Sequence, residues 1–192
     1  MTDETTNARI KAKTVIAKSK GSLTRVEYAF RTSKGAWKDN TREYYDNGNS
    51  AVVLPYDPAR KTVLLTRQLR IPPFIQDGIE SMVEACAGKL EDEDPETRIL
   101  KEIEEELGYR IASAEKLFDL YMSPAGFMER ITFFLCQYGP SDRVSSGGGL
   151  ADEGEDIEVI ELELAEARKL VARGEIRDAK TVILVQALGQ RP

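Results

Sequence analysis

The 192-residue sequence contains no histidine, only two cysteines and no surplus of basic residues. Without histidine there is no Ser-His-Asp or Cys-His catalysis, and the commonest nitrogen ligand for zinc is missing. Cys86 and Cys136 lie far apart inside the apolar stretches "VEACAG" and "FFLCQY", where they read as buried thiols. A formal charge of −6 and a pI near 5.0 leave no excess of Lys and Arg to neutralise a phosphate backbone, so nucleic acid is not the expected partner. No apolar run approaches the roughly 18 residues of a membrane span, and the start "MTDETTNARIKAK" lacks a signal-peptide core. We therefore expect a cytoplasmic protein with no membrane partner, whose chemistry leans on carboxylates and a hard cation.

What is there describes a folded chain: 41% hydrophobic and 31% charged residues are ordinary for a globular domain. Alternating apolar residues around the turn signal "SKGA" predict an N-terminal antiparallel β element over residues 1–48, followed by one main domain over 49–192. In that domain "AVVLPYD" and "KTVLLTRQLR" read as a central hairpin, and "IPPFIQDGI" as a break. "ESMVEACAGKL" reads as one strand running into a glycine turn. Strands follow at "AEKLFDLYMS", "ERITFFLCQY" and "DIEVIELEL", with helices at "LAEARKLVARGE" and "AKTVILVQALGQ". The long loop "GPSDRVSSGGGLADEGED" is rich in glycine, serine and acid, and its glycines are expected to let it close over a ligand.

The densest signal is "DPETRILKEIEEELGY", a helix with both ends written in: Asp94 caps it, Pro95 opens it and Gly108 stops it. Ile99, Ile103 and Leu107 form the buried stripe, while Glu102, Glu105 and Glu106 share a second face near the C-terminus. That end already carries partial negative charge, and like charges one turn apart repel. A solvated acidic face is one reading; a bound divalent cation, Mg²⁺ or Mn²⁺, is the other, since both ions favour oxygen ligands.

The spacing around these glutamates resembles the Nudix box, G-x5-E-x7-R-E-U-x-E-E-x-G-U, of the Nudix hydrolases, across "AGKLEDEDPETRILKEIEEELGY". Lys101 stands where arginine is usual, Asp94 replaces the loop glutamate, and the span from Gly88 to Lys101 is one residue short. Further blocks, "REYYDNGNSAVVLPYD", "LYMSPAGFMER" and "GEIRDAKT" among them, are similar to the nucleoside-diphosphate-sugar branch of the family. The resemblance implies an α/β (α+β) fold, the Nudix α/β/α sandwich with an N-terminal antiparallel β element, and a homodimer. It implies metal on Glu102, Glu105, Glu106, Glu155 and the Ala87 carbonyl, with Glu153 as general base and Glu105 and Glu106 in the catalytic set. It places substrate on Arg42, Glu43, Arg70, Gly88, Glu129 and Lys180. The implied reaction is metal-dependent hydrolysis of a nucleotide-sugar diphosphate, GDP-mannose or ADP-ribose, and a regulatory nucleotide-binding module on the same fold is the alternative.

Overall fold

The structure is a computed structural model that describes residues 6–150 and 154–191. Its contacts divide the chain into two compact units, Met1–Asn49 with Tyr121–Glu129, and Ser50–Leu120 with Arg130–Pro192.

The first unit is an antiparallel sheet in the order β1 (Ala8–Lys18), β2 (Ser22–Arg31), β3 (Trp37–Asp46). Only β2 buries alternate side chains, Thr24 and Val26, as a half-covered strand should, whereas β1 is exposed along its whole length. The segment Tyr121–Glu129, which the sequence reading put with the main domain, joins this unit through Tyr45: its N–H donates to the Gly126 carbonyl and its carbonyl accepts from Met128.

The second unit holds a seven-stranded mixed sheet in the order β10-β5-β4-β9-β8, with β6 on β5 and β7 on β4. Its strands are β4 (Ser50–Asp57), β5 (Thr62–Gln68), β6 (Met82–Glu84), β7 (Cys86–Lys89), β8 (Glu115–Tyr121), β9 (Arg130–Gln137) and β10 (Glu158–Glu163). The helices are α1 (Ile71–Asp77), α2 (Pro95–Glu102), α3 (Leu164–Ala172) and α4 (Ala179–Gly189). β4 is buried on both faces, which explains its unbroken apolar run. Ala51 and Val53 share a core with Ile99, Ile103 and Leu107 of the glutamate helix. By strand alternation Val52 and Leu54 point the other way, towards the side on which α4 buries Leu184, Val185 and Leu188. Among the described residues no helix is long and apolar enough to cross a membrane.

The central hairpin is present but short, and two other expectations need correction. The hairpin of β4 and β5 is paired only at Tyr56↔Val63 and Asp57↔Thr62; beyond that β4 pairs β7 and, in parallel, β9, while β5 pairs β6 and β10. The presumed break "IPPFIQD" is helix α1, because prolines in the first turn lack only donors that the helix leaves unpaired, and Gly78 closes it with φ +70. The single strand through "MVEACAG" is divided at Ala85, whose N–H donates to Thr181 Oγ1 at 2.7 Å, so that β6 and β7 serve different partners.

Candidate active site

Asp94 accepts from the N–H groups of Glu96 and Thr97, both at 3.1 Å, and so starts α2. Ile99, Ile103 and Leu107 are fully buried in the core. The helix does not continue as a regular α-helix, as the sequence suggests: after Glu102 it widens into a π turn, Ile103–Leu107, and Gly108 ends it in the left-handed region. Such wide turns add a residue to one coil and concentrate at functional sites. Glu102, at the end of α2, and Glu106, within the wide turn, both point inward, at 6% and 3% exposure, and Glu105 is half-buried. Glu104 leans out, held bidentately by Arg110 at 2.6 and 2.9 Å.

Glu102 packs on Gly88 of β7 so closely that any Cβ there would overlap its carboxyl group. Arg98, one helical turn earlier, places Nη2 2.5 Å from Glu102 Oε1 and 3.9 Å from Glu105 Oε2. Burial lifts Glu102 to about 7, against the pull of Arg98 and with the push of Glu105. Glu106 is lifted further, to about 8, again chiefly by burial, although the Cys86 thiol and the Ala87 N–H both bond its carboxylate. Its Oε2 is buried and has no hydrogen-bond partner.

A divalent metal fits these residues on chemical grounds. Two buried carboxylates, one with an orphaned oxygen, are the hard donors that a divalent cation of this class takes. Among the described residues no three acidic, thiol or imidazole side chains converge as a ready-made cage.

The glycine-rich loop clasps the end of this helix. Gly148 and Gly149 donate N–H bonds to the Glu106 and Glu105 carbonyls at 2.9 and 3.2 Å, and Val144 and Ser145 donate to that of Gly108. These are carbonyls that a helix end leaves unpaired. Gly147, at φ +67, lies against the Glu106 carbonyl where a Cβ would not fit. The glycines therefore dock backbone on backbone in addition to any part in closure. The clasp carries Glu155 into the electrostatic field of Glu102 and Glu106, with its Oε2 accepting from the Leu150 N–H at 3.0 Å. Glu153 lies outside the described residues.

Arg70 and Lys180 meet on one acid that the sequence reading missed. Glu84, 6% exposed, accepts from Arg70 Nε at 2.6 Å, and Lys180 stands 3.9 Å from it while pairing with Asp178 at 2.6 Å. Glu84 precedes by two residues Cys86, whose thiol bonds Glu106. An acid inside an otherwise apolar strand was the available signal. Arg42, Glu43 and Glu129 belong to the first unit. Adjacent strand residues face opposite ways, and Glu43 pairs with Arg25 at 2.8 Å while Arg42 bonds Asn40 and the Thr41 carbonyl.

The partner of Lys101 is Glu93, at 2.6 Å, and not Asp94. Counting from Glu93 restores the E-x7 interval of the signature, so the missing residue falls between Gly88 and Glu93. There the chain makes a tight turn: Glu93 N–H donates to the Leu90 carbonyl at 2.7 Å, with Glu91 and Asp92 both at positive φ.

Comparison with known proteins agrees with this geometry. The NUDIX domain profile matches residues 46–183. GDP-mannose pyrophosphatases of Escherichia coli O1:K1 and Salmonella paratyphi B are each 44% identical to this chain, over 169 and 170 residues, covering 87% of this chain and 87% of theirs. A crystal structure described as an ADP compounds hydrolase superposes with a TM-score of 0.70 at 17% identity, covering 96% of this chain and 94% of that one, and so shares the fold. With its glutamate helix seated on Gly88 and that profile running through most of its length, the chain belongs to the Nudix family.

Proposed function

We propose that the chain hydrolyses the diphosphate of a nucleoside diphosphate sugar, converting GDP-mannose to GMP and mannose 1-phosphate. It is a Nudix pyrophosphatase. The observation that carries the reading is the buried Glu106 carboxylate, its Oε2 without a hydrogen-bond partner, on the helix whose Glu102 packs on Gly88, in a chain 44% identical to GDP-mannose pyrophosphatases.

In this reading Glu102, Glu105, Glu106, Glu155 and the Ala87 carbonyl hold Mg²⁺. A divalent cation there supplies charge neutralisation on the diphosphate and makes water a better nucleophile at neutral pH. Arg70 and Lys180 position phosphate oxygens; with Nε committed to Glu84, the Nη edge of the Arg70 fork meets the phosphate. Gly88 lets the substrate and Glu102 approach the backbone. Glu153 takes the proton from the attacking water. Arg42, Glu43 and Glu129 reach substrate from the partner subunit of a homodimer. Support for the dimer lies in the first unit, where β1 exposes Ile10 and Val15, each at 59%, on a small sheet that needs further cover.

The test is phosphate release in a phosphatase-coupled assay with Mg²⁺, offering GDP-mannose and ADP-ribose in parallel, with Glu106→Gln as control. Turnover of GDP-mannose that the variant loses supports the reading. Preference for ADP-ribose moves the substrate, and binding without turnover of either points to a regulatory module.

A further inference from the structure

A cavity of about 1020 Å³ opens in the second unit, away from the glutamates. Ala51 faces Gly88 across the β4–β7 ladder, whereas the cavity reaches Tyr56, five residues further along β4 and ~17 Å away at the rise of a strand. Neither the glutamates of the helix, nor Arg70, nor Lys180 lines it.

Its charge is unlike that of the chain as a whole. In a protein of net charge −6, four basic side chains, Lys61, Arg110, Arg168 and Arg191, surround one cavity. Arg110 is engaged by Glu104, and Arg191 by Glu115 at 2.7 and 2.8 Å. Asp142, the other acid of the lining, accepts from the Gly139 N–H. Among the described residues neither Lys61 nor Arg168 is matched with a carboxylate. The backbone of the first and the side chain of the second are held by the fold. The Lys61 carbonyl accepts from the Leu164 N–H at 2.9 Å at the start of α3, and the Arg168 guanidinium packs over Gly189, where a Cβ would come within 3.1 Å of Nε. The buried wall behind them includes Leu135 and Leu188.

We propose that this cavity is a second binding site, for a ligand that carries a phosphate monoester. Two cations without carboxylate partners suit a dianion, and here an ammonium and a planar guanidinium fork line the same cavity. The apolar wall takes the organic body. Both products of the proposed hydrolysis are phosphate monoesters, so the ligand class rests on that reading for its biological sense, while the site does not need the reaction.

The experiment follows the backbone amides of Leu164 and Gly189 by NMR in the full-length, ¹⁵N-labelled chain with EDTA, as inorganic phosphate, GMP or mannose 1-phosphate is added. Saturating shifts at these amides are expected, weakened about tenfold or more in the Lys61→Ala/Arg168→Ala double variant. The tightest probe names the carrier. Absence of saturation with all three probes, or identical curves in the double variant, overturns the proposal. Both substitutions are at exposed side chains, and circular dichroism checks that the variant is folded. Initial-rate hydrolysis of GDP-mannose by the unaltered chain, a reaction that these residues do not serve, separates the two readings: turnover without any saturating shift at the cavity sinks only this site, and saturating shifts without turnover sink only the hydrolase.

Discussion

The Arg98 guanidinium lies 2.5 Å from Glu102 Oε1, one helical turn apart, and both side chains are largely buried at 17% and 8% exposure. Arg98 is thus the internal counter-ion of the glutamate pair, with its Nε buried and unpartnered. Arg98→Gln should destabilise the chain in EDTA by about 2–4 kcal/mol, since removing one partner strands a buried charge. Added Mg²⁺ should recover part of that loss. Urea unfolding with and without metal measures both, and equal loss in the two conditions would sink the counter-ion role.

Gly88→Ala should leave the strand pairing intact and cut kcat/KM by about 100-fold, because the added methyl displaces the Glu102 carboxyl from its seat. Far-ultraviolet circular dichroism with steady-state kinetics checks it. Wild-type kinetics would show that the close contact is not needed.

Stability of the metal-free chain should fall as pH rises. Glu102 and Glu106 are lifted to about 7 and about 8 in the folded chain, above the ordinary 4.5. Between about pH 4.5 and 8 the native state therefore holds protons that the unfolded state releases, and the slope of stability against pH is negative. Thermal melts in EDTA should drop by roughly 5 °C or more across this window, and Mg²⁺ should flatten the trend. A rise with pH would contradict the burial of these acids.

Asp92→Gly should stabilise the chain by about 0.5–1 kcal/mol. The residue sits at φ +71, a conformation that costs an L side chain roughly 1–2 kcal/mol, from which the greater freedom of unfolded glycine is subtracted. Urea melts measure the difference, and a destabilised variant would mean that the carboxyl itself supports the turn.

Much of the site can be read locally. Asp94, Pro95 and Gly108 mark the ends of the glutamate helix, and the buried stripe follows from period alone. What escaped reading depends on distant residues. The division of β6 from β7 hangs on Thr181, 96 positions away in sequence from Ala85. The role of Glu84 appears only when Arg70 and Lys180 reach it from separate elements. Helix α1 was misread because paired prolines signal both a helix start and a loop, and the sequence offers no buried face to decide between them. The π turn has no local signature; among its visible partners is a loop some 40 residues downstream that bonds the Glu105 and Glu106 carbonyls.

That clasp between the glycines and the end of the helix is made wholly of main-chain atoms. It reads no side chain, and it tolerates none at Gly147. The anchor can thus stay constant while the residues between Gly149 and Glu155 change in number or kind, so divergence in this stretch would retune chemistry at a fixed mooring, with no need to rebuild the helix that faces it.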